Sequence, residues 1–194
     1  MIPSVPEVVL AVDDALEAAA LPHAFGGALA LAYAVGEPRA TIDVDVNVFL
    51  DAEQADRAFA ALPRGVTWGD DDVELAVRDG QVRVWWGDVA LDLFFDYHPF
   101  HAHAAGTALT VPFADRHIRV LAPDELAVFK AFFDRTKDWA DLEAMVEVGS
   151  FDVGAVRGWL VRLLGEDDPR VDRLDRTLAT TRSGSPARLP PLRP

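Results

Sequence analysis

The 194-residue sequence contains no cysteine. Disulfides, disulfide-linked partners, thiolate zinc sites and cysteine nucleophiles are therefore excluded, and any chemistry falls to carboxylates, histidine and lysine. Lysine is nearly absent as well: of the 18 basic residues only Lys130 and Lys137 are lysines. No apolar run approaches the length of a membrane span, and Met1 to Leu21 carries acids instead of a basic leader. A cytoplasmic protein without membrane attachment is expected. Positive charge is scarce overall, since 32 acids leave a net charge of −14 at pH 7, which argues against broad affinity for nucleic-acid phosphates. From Arg157 onward, however, eight arginines stand against five acids. That basic end is either a local holder of polyanions or a solvated, charge-paired helix face.

What the chain has in quantity is apolar residues, 51% of the total, enough for one compact domain or two small lobes. The segment from Thr41 to Leu50 alternates strictly: Ile42, Val44, Val46, Val48 and Leu50 on one face, Thr41, Asp43, Asp45 and Asn47 on the other. This period of two predicts a half-buried strand. Asp43 and Asp45 then project the same way from neighbouring pleats, about 6.6 Å apart along the backbone, close enough to share one divalent cation or hold two. The competing reading is a solvated sheet face. Aspartate is poorly suited to strands, so the pair calls for a reason.

The apolar spacing of Val8, Val9, Val12 and Leu16 predicts a helix from Val5 to Leu21. Gly26-Gly27 precedes a second helix, Ala28 to Val35. Bare amides at a helix N-terminus can approach phosphate oxygens closely, although a glycine pair is also simply a tight turn. Ala52 to Leu62 reads as a surface helix, and Asp70 to Asp72 as a solvated loop. Gln81–Trp86 and Val89–Phe95 read as strands joined at Gly87-Asp88. Asp92 sits in the second of these, a third acid in an apolar strand; if the strands are neighbours, three carboxylates share a face. His98, His101 and His103 follow in a segment read as a loop, a possible zinc cluster without a completing ligand. Pro123-Asp124-Glu125 opens a helix running through Lys130 and Phe133, with another helical stretch from Lys137 to Val148. The seven-residue spacing of the two lysines places them on one helical face, with Asp134, Asp138 and Asp141 on the same course. Either this is a charge-paired face or it aims an ammonium at a triphosphate. Asp152 to Leu164 and Pro169 to Thr180 read as closing helices, and the proline-rich end as a tail.

Gly26-Gly27, the run Arg39-Ala40-Thr41-Ile42-Asp43-Val44-Asp45, and Lys130 with Arg135, Lys137-Asp138 and Asp141-Leu142 together resemble the nucleotidyltransferase superfamily. More closely, they resemble the AbiEii-type toxins of type IV toxin–antitoxin systems and the related MenT toxins. The likeness implies an α+β fold, a small mixed sheet with flanking helices and a helical C-terminal part. Its expected parts are a core lobe over 1–121, a helical lobe over 122–181 and a tail over 182–194. It implies that Asp43 and Asp45 hold Mg²⁺ against an NTP, with Asp92 as third acid, a metal ligand or general base. It further implies that Gly26 and Gly27 shape a phosphate loop, that Lys130 contacts phosphates, and that Arg39, Lys137, Asp138 and Asp141 belong to the nucleotide site. The implied activity is transfer of a nucleotide, with a pyrimidine as one option, to the acceptor end of tRNA, under control of a cognate antitoxin that phosphorylates Thr41. Transfer to a small cationic molecule, or a silent nucleotide- or antitoxin-binding module, are the alternatives. Ala28 departs from the pattern, because relatives carry Ser or Thr after the second glycine.

Overall fold

The computed structural model describes residues 3–38, 40–96 and 98–184. Arg39, one of the expected nucleotide contacts, and residues 185–194 of the expected tail lie outside the described residues. The chain divides into two compact units, Met1–Leu126 and Ala127–Pro194.

The first unit opens with α1 (Val5–Ala18), whose Ser4 cap offers its backbone amide and hydroxyl to the Glu7 carboxylate, each at 2.7 Å. The short strand β1 (His23–Phe25) leads into α2 (Gly27–Val35), which stops where Gly36 turns left-handed at φ 75°. Next come β2 (Asp43–Asp51), a 3-10 turn over Ala52–Gln54, α3 (Ala55–Ala61) and α4 (Asp70–Asp79). The hairpin β3 (Gln81–Trp86) and β4 (Val89–Asp96) is followed by α5 (Pro99–Thr107) and a second hairpin, β5 (Leu109–Phe113) and β6 (Arg116–Val120). Helix α6 (Pro123–Phe133) carries the chain across the division.

The six strands form one mixed sheet in the order β3-β4-β2-β1-β6-β5. Strand β2 is central, parallel to β4 and antiparallel to β1, while β1 and β6 run parallel. Val46, Val48, Leu91, Leu93 and Phe95 are buried, and Phe95 stacks on Phe59 with ring centroids 6.4 Å apart. Burying such side chains contributes about 1.5–3 kcal/mol each, which anchors the strands that carry the acids.

The structure departs from the sequence expectations in four places along the first unit. The alternation of β2 holds only over its first residues, Asp43 to Val46: Ile42 is 80% exposed, because it precedes the strand, and Asn47 and Phe49 are buried although they lie on the nominally polar face. Asp70 to Asp72 form the first turn of α4 instead of a loop, where the helix dipole favours them and the Asp72 carboxylate accepts the Gly69 amide at 2.9 Å. The His98–His103 segment is helical; the His98 ring accepts the Phe100 amide at 3.3 Å as a cap and Pro99 occupies the first turn. Strands β1, β5 and β6 had no clear signal of their own. Pro112, His117 and Arg119 interrupt the alternation of the β5–β6 hairpin, and its turn is made by Ala114 at φ 53°.

In the second unit, α7 (Thr136–Val148), α8 (Val153–Leu164) and α9 (Pro169–Gly184) bury Trp139, Leu142, Met145, Val156, Leu160, Val171 and Leu174. Asp152 caps α8 by accepting the Ala155 amide at 2.8 Å. Asp134 at φ 56° breaks the helical path between α6 and α7. The shared helical face expected for Lys130 and Lys137 therefore does not form: Lys130 is buried on α6 and Lys137 is exposed on α7.

At the far end of β4, Asp96 faces Asp51 across the register, and one of its carboxylate oxygens is buried without a partner. Burial, and secondarily the Asp51 charge, push its pKa from 3.8 up to about 6. Because the folded chain holds this proton more tightly than the unfolded chain, the penalty is absent below the unfolded value. It grows as pH rises between the two values and is complete above the folded one. Asp96→Asn is therefore expected to stabilise the protein by on the order of 1 kcal/mol at pH 8, after allowance for solvent screening, and by almost nothing at pH 4. Urea unfolding of both proteins at the two pH values measures the difference.

Candidate active site

Residues directly opposite one another on paired strands present their side chains on one face. The β2–β4 register sets Asp45 opposite Asp92, and the β3–β4 register sets Arg83 opposite Asp92. Three strands thus lay Asp45, Asp92 and Arg83 in one row, with Asp43, Ala90 and Trp85 in the adjacent row. Arg83 answers the acids with a two-pronged contact. Its Nε donates to Asp92 Oδ1 at 2.7 Å and its Nη2 to Oδ2 at 2.6 Å, while the same Nη2 lies 3.9 Å from Asp43 Oδ2. The hydrogen bond to Asp92, joined by the charges of Asp92, Asp43 and Asp45, raises the pKa of the guanidinium. Sequence reasoning missed Arg83. Its one signal was being the sole charged residue of the Gln81–Trp86 strand.

Glycine is required where β1 turns into α2. The Gly26 amide donates to the Asp45 carbonyl at 2.9 Å. Gly27 has φ 51°, and a Cβ there would fall 1.8 Å from Asp45 Oδ2. The Asp45 carboxylate therefore lies against the N-terminal turn of α2, in room that only a bare backbone leaves. Thr41 stands just before β2; its hydroxyl donates to the Asp43 carboxylate and lies 3.0 Å from the Asp43 carbonyl oxygen. A cavity of about 660 Å³ opens beside the acids. Its walls include Val9, Leu29, Ala32 and Phe113, with Asp43 and Asp45 at its edge. Ala28 also lines it, as part of an apolar wall.

The remaining site candidates fall in the second unit and form their own network. Lys130 Nζ donates to Asp141 Oδ2 at 2.7 Å and lies 3.6 Å from Asp138 Oδ1. Asp138, fully buried, also accepts from Arg135 Nε at 2.6 Å. Asp134 leaves the expected course and accepts from the Trp139 indole at 2.6 Å and from Arg173 at 3.0 Å. The basic end is extensively charge-paired: Arg157 with Glu166 and Asp175, Arg170 with Asp168. The histidines of α5 do not converge. His101 Nδ1 lies 3.2 Å from the His98 carbonyl, and His103 Nε2 lies 3.1 Å from Glu125 in the first unit.

No protein-family model matches the chain, and no curated protein matches it in sequence. Solved structures do match. A structure of the antibiotic-resistance factor ANT(2″)-Ia in complex with adenylyl-2″-tobramycin superposes with TM-score 0.53 at 16% identity, covering 92% of this chain and 97% of that one. The solution structure of ANT(2″)-Ia gives TM-score 0.52 at 15% identity over 94% of each chain. An antigenic nucleotidyltransferase-like protein from Paracoccidioides brasiliensis gives 0.53 at 13% identity, covering 90% of this chain and 88% of that one. The fold is nucleotidyltransferase-like.

A nucleotidyltransferase-like fold raises the question of a divalent metal, and the donor chemistry fits one. Asp43 and Asp45 offer hard carboxylate oxygens from one face, as Mg²⁺ prefers, and Asp45 lies against the bare backbone of Gly27. The acid face already attracts a cation, the Arg83 guanidinium. Among the described residues no three acidic or histidine side chains stand together as a metal cluster, and both Asp92 oxygens accept from Arg83. Asp43 and Asp45 are thus the pair able to hold the ion. Among the described residues, no helix is long and apolar enough to cross a membrane.

Gly27→Ala combines a left-handed backbone with a clash against Asp45. It is expected to cost at least about 1–2 kcal/mol in chemical denaturation, whereas Gly158→Ala on α8, whose added Cβ meets nothing within 4 Å, is expected to be neutral or stabilising.

Proposed function

We propose that this protein is a Mg²⁺-dependent nucleotidyltransferase that moves a nucleotidyl group from an NTP to an acceptor hydroxyl. The observation that carries this reading is that the strand register sets Asp43, Asp45 and Asp92 on one sheet face, with Asp45 beside the Gly26-Gly27 opening of α2. The acceptor oxygen bonds to the α-phosphorus as the bond to the bridging oxygen breaks, and pyrophosphate leaves with that oxygen. Asp92 takes the hydroxyl proton. Asp43 and Asp45 hold Mg²⁺, which supplies neutralising charge to the polyphosphate. Gly26 and Gly27 let backbone amides approach the phosphates. By the motif resemblance alone, Lys130 is assigned a phosphate contact and Arg39, Lys137, Asp138 and Asp141 are assigned to the nucleotide; within the second unit, Asp138 and Asp141 hold the Lys130 ammonium.

The acceptor we propose first is the tRNA acceptor end, with the product blocking translation and an antitoxin restraining the toxin. This follows the motif resemblance. A small cationic acceptor is the second reading, favoured by the net charge of −14 and by the pairing of Arg157, Arg170 and Arg173 with acids, which leaves less basic surface for RNA. Incubation with each α-labelled NTP, Mg²⁺ and total tRNA decides between them. Label on tRNA that falls at least about a hundredfold in Asp43→Ala, the scale of a lost transition-state charge contact, supports the tRNA reading. Label found only on an added aminoglycoside supports the second, and no transfer to either sinks both.

Thr41 is the proposed point of control. A phosphate there adds about −1.5 to −2 charges beside Asp43 and replaces the hydroxyl's contact with its carboxylate. Co-expression with the antitoxin is expected to add a phosphate mass to Thr41 and to abolish transfer. An inhibited protein with unmodified Thr41 overturns this assignment.

A further inference from the structure

The mechanism above leaves Arg83 without a role, although it grips one of the acids and reaches toward a second. Its fork uses both oxygens of Asp92, at 2.7 and 2.6 Å, and reaches to 3.9 Å from Asp43. The contact is built by register and not by chance side-chain reach, because Asp45, Asp92 and Arg83 lie in one row across three hydrogen-bonded strands. Trp85, two residues on along the same face, lies 5.9 Å from the guanidinium carbon and backs it. A carboxylate whose two oxygens accept a charged fork has one lone pair of each oxygen occupied and its charge offset by the guanidinium, which weakens it as a ligand for a divalent cation and as a base.

We infer that Arg83 is a positioning residue that competes with divalent metal for the acid face, holding Asp92 apart from Asp43 and Asp45. The inference rests on the reading of these acids as a metal site. With the guanidinium engaged, a cation meets only the Asp43–Asp45 pair. When the guanidinium leaves, Asp92 turns to the site as the third carboxylate, and metal affinity rises with the added charge and ligand. The strand register then acts as a regulator: it places a reversible internal cation where a third ligand would bind.

Mn²⁺ titration of the nucleotide-free protein, with free Mn²⁺ followed by electron paramagnetic resonance, tests this without calling on catalysis. Arg83→Met is expected to bind Mn²⁺ about tenfold more tightly than wild type, the scale of one charge-assisted contact. Arg83→Lys, which keeps the charge but cannot grip both oxygens, is expected to fall between them. Adding Asp92→Asn to Arg83→Met is expected to return affinity to near the wild-type value. Wild-type affinity in Arg83→Lys overturns the fork in favour of a general field effect. Equal affinity in wild type and Arg83→Met, with binding lost in Asp43→Asn, overturns the inference and leaves the metal site standing. No Mn²⁺ uptake by any of the proteins overturns the inference together with the reading it rests on. Circular dichroism of each variant confirms that affinities are compared among folded chains.

Discussion

The parallel pairing of β2 with β4 is the constraint on which the candidate site depends. Asp45 and Asp92 are 47 positions apart in the chain, and they become neighbours only because the register sets them opposite. Two carboxylates on adjacent strands repel, and like charges directly opposite destabilise a sheet. The fold sets an arginine opposite the second acid, on the strand beyond, so the row reads acid, acid, base. One face of the sheet thereby carries concentrated negative charge while its other face packs Val46, Val48, Leu91 and Leu93 into the core. Had the register slipped by one residue, every acid would have turned into that core.

Arginine solves the same problem repeatedly in this protein. A planar guanidinium meets a carboxylate with two donors at three places: Arg83 with Asp92, Arg116 with Asp14, Arg170 with Asp168. Several of these groups also lie over aromatic rings, as Arg173 does over Trp139 at 4.5 Å and Arg170 over Phe132 at 5.3 Å. A flat, weakly hydrated cation tolerates such settings better than an ammonium. Against that preference, the one buried lysine, Lys130, stands out among the described residues. It sits between Asp138 and Asp141, an arrangement that suits a compact point charge able to change partners.

Glycine and cavity complete the picture around Asp45. Gly27 gives up a side chain so that a carboxylate and a helix N-terminus can touch, and Ala28 beside it turns the next surface apolar. A mostly apolar cavity bordered by acids differs in character from the charged row across the sheet. The two surfaces meet at Asp43 and Asp45, so a ligand spanning them would present an uncharged body to one and a cation or metal-bound anion to the other.

Much of this was legible in the residues themselves. The parity of Asp43 and Asp45, the hairpin at Gly87-Asp88 and the helix opening at Gly26-Gly27 all depend on neighbours within a few positions. Local chemistry dictates them wherever the segment lands. Three further features depended on the tertiary structure. Strand order decided that Asp92 would lie beside Asp45 and that Arg83 would grip it, because register joins residues with no local relation. The break at Asp134 decided that Lys130 would be buried while Lys137 stayed in solvent, since a left-handed residue redirects the helix against the spacing of the lysines. The sheet's middle buried Phe49 against its own alternation, because covering elements, and not pleat parity, set which positions meet water.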